Sequence, residues 1–111
     1  MPNTFKSPRS QSVGTTLTQV GGYAVPTGGS ATLIGATVAN RTASPITCDI
    51  YLRTSGAVDT AIVVGAPVPV GGSLMFGGAM KIVMEVGDRI MVRSSAAASA
   101  DVILSMLEVT P

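Results

Sequence analysis

Val25 to Ala36 reads VPTGGSATLIGA, and Val68 to Ala79 reads VPVGGSLMFGGA. Each joins a Pro-x-Gly-Gly-Ser segment to an apolar run, and the two copies stand 43 residues apart. Pro and Gly are the residues that tight turns demand, so a short apolar run behind them reads as a strand entered through a turn. The doubling fits two related halves or one turn used twice. Either way the chain is built of turns and strands.

The flanking segments carry the same pattern. Ala31 to Ala39 is a nearly continuous apolar run that ends in the polar stretch Asn40-Arg41-Thr42-Ala43-Ser44-Pro45, a buried strand and its turn. Ile46 to Arg53 alternates, with Ile46, Cys48, Ile50 and Leu52 on one face and Thr47, Asp49, Tyr51 and Arg53 on the other. Thr15 to Val20 and Thr60 to Gly65 are shorter strands, and Ser73 to Gly78 and Lys81 to Val86 are two more. Gly87-Asp88 reads as a hairpin turn into Ile90 to Arg93, where Ile90 and Val92 point inward and Arg89, Met91 and Arg93 outward. The last strand, Asp101 to Thr110, is apolar on both faces: Val102, Leu104 and Met106 on one, Ile103 and Leu107 on the other. Such a strand is expected to be covered on both sides. No segment combines helical periodicity with caps. About eight short strands predict an all-β, single-domain antiparallel β-sandwich, jelly-roll or Ig-like, over residues 14–111. Residues 1–13, polar and without periodicity, read as an extended N-terminal arm.

Composition narrows what such a sandwich does. Of 111 residues 46% are hydrophobic and 12% charged, about half the usual charged share, so some apolar surface should face another protein. No apolar run approaches the ~20 residues of a membrane-spanning helix, and the first residues lack the apolar segment of a secretory signal. A membrane partner and general export are therefore not expected. Net charge is +1, which offers no broad attraction to nucleic acid. The single cysteine, Cys48, reads as a small buried hydrophobe made in a reducing cytoplasm.

The residues of common chemistry are missing. The chain has no histidine, which removes the usual general base and metal ligand, and one cysteine excludes a zinc–thiolate site. The six acids, Asp49, Asp59, Glu85, Asp88, Asp101 and Glu108, fall roughly one per strand or turn, a spacing that implies no carboxylate pair. Neither Gly-Gly-Ser segment is followed by the Lys-Ser/Thr of a phosphate loop. Phe5, Tyr23, Tyr51 and Phe76 are isolated from one another, and Arg53, Arg89 and Arg93 read as solubilising charge or intersubunit ion pairs. No catalytic residue, cofactor or metal site is expected. An enzyme is not expected either.

From Ala66 to Val109 the order of segments resembles small virion structural proteins of tailed bacteriophages: the Pro-x-Gly-Gly-Ser turn, Lys81-Ile82-Val83, Gly87-Asp88-x-Ile90-x-Val92 and Ser105-x-Leu107-Glu108. Ala39-Asn40 and Asp49-Ile50-Tyr51-Leu52 extend the resemblance over roughly residues 17–109. It implies a non-enzymatic β-sandwich of the virion, located at the capsid surface or head–tail region and assembled in the host cytoplasm. Within that resemblance the expected role is a capsid decoration (cement) protein bound to the major capsid protein. The alternatives are a head–tail connector, tail or fibre-associated protein and, further off, a host-receptor or carbohydrate-binding module. Self-association into a closed ring, first of all a trimer, would cover the apolar excess. Phe5, Lys6 and Arg9 are the expected attachment residues of the arm, and Met91, Ile103 and Leu107 the expected oligomer contacts. The six methionines suit adaptable contacts or core filling.

Overall fold

The computed structural model describes residues 3–110, with the backbone alone over 74–80; the side chains of Met75, Phe76 and Met80 thus lie outside the described residues. Nine strands are present among them: β1 (Asn3–Lys6), β2 (Arg9–Val13), β3 (Thr18–Gln19), β4 (Ser30–Asn40), β5 (Ile46–Arg53), β6 (Asp59–Val68), β7 (Ser73–Met84), β8 (Arg89–Ser94) and β9 (Ala100–Val109). A 3-10 turn, Val20–Gly22, follows β3. One sheet has the order β1-β9-β4-β7, with β2 continuing beside β9 beyond β1; the other has the order β3-β8-β5-β6. Every pairing is antiparallel. Of the connections between successive strands from β2 onward, only β5 to β6 joins neighbours in one sheet. The others cross between sheets, which makes the sandwich a jelly roll and sets aside the Ig-like option.

The core lies where the inner faces meet. From β9 it takes Val102, Leu104 and Met106; from β4, Leu33, Ala36 and Val38; from β5, Ile46, Cys48 and Ile50; and from β8, Ile90 and Val92. Period-two alternation in β5 and β9 puts each of these side chains on one face without help from the rest of the fold. Cys48 is buried, and burial followed by the nearby Asp49 charge pushes its thiol up, so it is an inert core residue.

The twin segments are twin turns. Gly29 N donates to Pro26 O and Gly72 N to Pro69 O, each at 3.0 Å, with Gly28 and Gly71 at φ of 80° and 70°. Both are type II turns, whose third position requires positive φ. They launch β4 and β7, which then pair antiparallel with each other from Ala31↔Met84 to Ala39↔Ser73.

Gly87-Asp88 is not a hairpin. Asp88 N donates to Glu85 O at 3.0 Å with Gly87 at φ 83°, a third type II turn. Val25 clamps that turn, its carbonyl accepting from Gly87 N at 2.9 Å and its N–H donating to Asp88 O at 3.0 Å. The strand entering the turn therefore stays in one sheet while the strand leaving it, β8, joins the other. A Gly-Asp pair allows positive φ, while the Val25 bonds and the pairing of β8 with β5 and β3 direct the exit. Two expected strands over 73–86 are one, β7, and the expected first strand shortens to Thr18–Gln19. Residues 3–13 are extended and find their support on their own domain, β1 from Asn3↔Val109 to Lys6↔Met106 and β2 from Arg9↔Ile103 to Val13↔Ala100.

Candidate protein-interaction surfaces

The outer faces of the two sheets differ in chemistry. On the β3-β8-β5-β6 sheet four charged side chains bond to one another within the chain. Arg53 Nε and Nη2 donate to the two carboxylate oxygens of Asp59 at 2.7 and 2.9 Å. Asp49 accepts from Gly65 N at 2.7 Å and from Arg93 Nε at 2.8 Å. These bonds, the backbone one first, hold the Asp49 carboxyl below its ordinary range, and Arg53 does the same for Asp59. The Arg93 guanidinium lies 5.8 Å from the centroid of the Tyr51 ring. Of the three arginines read as solubilising or intersubunit charge, Arg53 and Arg93 thus bond within the chain.

Met91, expected on an open face, is 5% exposed. Its outward orientation holds, since it stands apart from the core residues, but its Cα partners are Gln19 on β3 and Tyr51 on β5. Cross-strand neighbours at about 5 Å cover a side chain of that length from both flanks. Met91 is therefore not an accessible contact.

The outer face of the β1-β9-β4-β7 sheet is apolar and open. Antiparallel register aligns Phe5, Leu107, Thr32 and Val83 in one row across four strands. Phe5 is 78% and Val83 69% exposed, and Leu107 is half-buried. A second row holds Arg9, Ile103 and Thr37, with Ile103 46% exposed. Ile34 sits between the rows at a register shift of β4, half-buried and outside the core cluster. The two-sided covering expected for β9 is present on the inner face alone. Val83 is the exposed residue of this face missed in the sequence, although alternation with Ile82 and Met84 places it on the opposite face from them.

At the arm, Lys6 Nζ lies 4.0 Å from Glu108 Oε1, and Tyr23 Oη donates to Glu108 Oε2 at 2.6 Å. Glu108 is buried, so this pair ties the chain before β4 to β9 beneath β1. Burial first, then the bond to Glu108 and its charge, push the Tyr23 phenol well above its ordinary range. A raised pKa stabilises the fold below the unfolded value of about 10, and this support is lost as pH rises through the folded value. Tyr23→Phe should lower stability at neutral pH by about 1–3 kcal/mol, because Glu108 keeps only a long ion pair. Urea unfolding should also show a flatter alkaline profile for the variant. Equal stability and identical profiles would remove the role given to this bond.

Two further carboxylates serve a turn and an edge. Asp88 Oδ2 accepts from Glu85 N at 2.9 Å, and Asp101 Oδ1 accepts from Ser12 N at 3.0 Å with Arg41 at 3.5 Å. Asn40, buried at the end of β4, donates to Ser44 O and Val68 O and accepts from the Thr42 N–H and hydroxyl. Among the described residues no three of His, Cys, Asp and Glu come together, and no helix is long and apolar enough to cross a membrane. Tyr23 and Tyr51, the aromatics a sugar platform would need, are both engaged within the chain.

No protein-family model matches the chain, and no curated protein matches it. Among solved structures it is similar to a chain from Bacillus endospore appendages, described as forming a novel family of disulfide-linked pili. The identity is 14% over 99% of this chain and 91% of that one, with a TM-score of 0.48.

Proposed function

We propose that this chain is a structural protein of a tailed-bacteriophage virion, a capsid decoration protein that binds the major capsid protein. The observation that carries this reading is the contrast between the two outer faces. One pairs Arg53 with Asp59 and Arg93 with Asp49, and the other leaves Phe5, Ile103 and Val83 exposed on one sheet face. A surface of that kind is suited to being covered by protein. The order of turn and strand segments from Ala66 to Val109, which resembles small virion proteins, supplies the phage context. The β1–β2 edge, where Arg9 is exposed and strand N–H and C=O groups face outward, is the element offered to the capsid.

Copy number tests the reading. Quantitative mass spectrometry of virions from the phage that encodes the chain should return hundreds of copies per particle, and Arg9→Glu should lower that occupancy severalfold. Six or twelve copies would move the protein to the head–tail junction, and absence from the particle would end the virion reading.

A further inference from the structure

We propose that the outer face of the β1-β9-β4-β7 sheet is closed by a second copy of this chain, related by a twofold axis lying along the strands between β9 and β4. The register makes the face complementary to itself. At three successive levels one of the two central strands carries a large apolar side chain and the other a small residue: Leu107 beside Thr32, Ile34 beside Ser105, and Ile103 beside Thr37. At the middle level Gly35 is the residue paired with Ser105, and Ile34 is the extra residue at the register shift.

A twofold axis along the strands exchanges β9 with β4 and keeps each level in place. Leu107 of one copy then sits over Thr32 of the other, Ile34 over Ser105, and Ile103 over Thr37. The same operation carries β1 over β7 and brings Phe5 against Val83. An axis across the strands at the Phe5 level would instead set Phe5 on Phe5. Large-over-small packing is the condition for interdigitation of two sheets about 10 Å apart.

Area and charge agree with a second copy. Four strands at about 4.8 Å, with β9 running ten residues at about 3.3 Å each, give roughly 600 Å² per copy. The pair would bury about 1,200 Å² in total, the lower bound of stable interfaces. On the two central strands the three levels carry no charged residue; Arg9 stands at the Ile103 level on the flanking strand β2, and Asp101 stands beyond the levels, paired with Ala39. The pair is twofold in place of the trimer expected from sequence, because the alternation of sizes is a property of two adjacent strands. The inference does not depend on the virion reading.

Cross-linking of the full chain with a short thiol-to-thiol reagent tests it. Phe5 and Val83 are three strand spacings apart in one chain, about 14 Å, but face each other across the proposed pair at the sheet spacing of about 10 Å; a direct disulfide reaches neither span, and a reagent that bridges only the shorter one joins them only between copies. The double variant Phe5→Cys/Val83→Cys should therefore give a covalent dimer, and neither single variant should; buried Cys48 does not compete. Sedimentation equilibrium should give a dimer for the natural chain and at least a tenfold weaker one for Ile103→Glu, with circular dichroism showing the variant folded. Dimers from Phe5→Cys alone would overturn the axis. A monomeric natural chain, or a ring that Ile103→Glu leaves intact, would overturn the face. Should the chain be monomeric and Ile103→Glu abolish binding to capsids, the occupant is the capsid and the proposal fails while the virion reading stands.

Discussion

Leu104→Ala should lower the free energy of unfolding by roughly 3–5 kcal/mol, near the upper end for truncation of a buried leucine. Leu104 is fully buried on β9, and its neighbour across the β4 ladder is Ala36, which is too small to move into the space left behind. On its other side the backbone is held, Leu104 N donating to Pro8 O at 2.8 Å, so the strand cannot settle inward without breaking the β2 edge. The adjacent Ile103 points the other way, and Ile103→Ala should cost under about 1 kcal/mol in the dilute chain, as for a half-exposed site. Urea unfolding with unchanged denaturant dependence measures both. Similar losses at the two positions would mean that β9 does not separate a packed face from an open one.

Gly87→Ala should cost roughly 2–5 kcal/mol, adding left-handed strain to overpacking. Gly87 holds φ at 83°, and a Cβ placed there would stand 2.6 Å from the Cβ of Ser55, in the β5–β6 loop of the other sheet. Gly71 provides the control. It occupies the same position of the same turn type at φ 70°, yet an added Cβ meets nothing within 4 Å. Gly71→Ala should therefore lose only about 1–2 kcal/mol, the conformational part. Thermal or urea unfolding of the two variants isolates the contact with Ser55; equal losses would show that this loop yields freely.

The open face is partly legible in the amino-acid sequence. Ile103 and Leu107 follow from alternation along β9, because side chains two residues apart share a face whatever the strand pairs with. Phe5 and Val83 complete the row only through pairing, since nothing local tells residue 5 that it lies beside residue 107. Met91 shows the converse. Its outward direction is readable, but its burial depends on Gln19 and Tyr51, supplied by two other strands. The ion pairs Arg93–Asp49 and Arg53–Asp59 are likewise invisible as pairs in the sequence, although their members can be assigned to one face.

Strand content, the inward sets of β5 and β8, and the turns at Pro26–Gly29 and Pro69–Gly72 are encoded locally, since alternation and the positive φ of glycine act within a few residues. Which strands are neighbours, and so the jelly roll, is settled by tertiary contacts alone. The Glu85–Asp88 turn carries the residues of a hairpin, but Val25, some sixty residues earlier, accepts and donates the two bonds that send β8 into the opposite sheet. Strand order rests on such contacts between distant segments, whose free energy exists only once the chain has closed on itself.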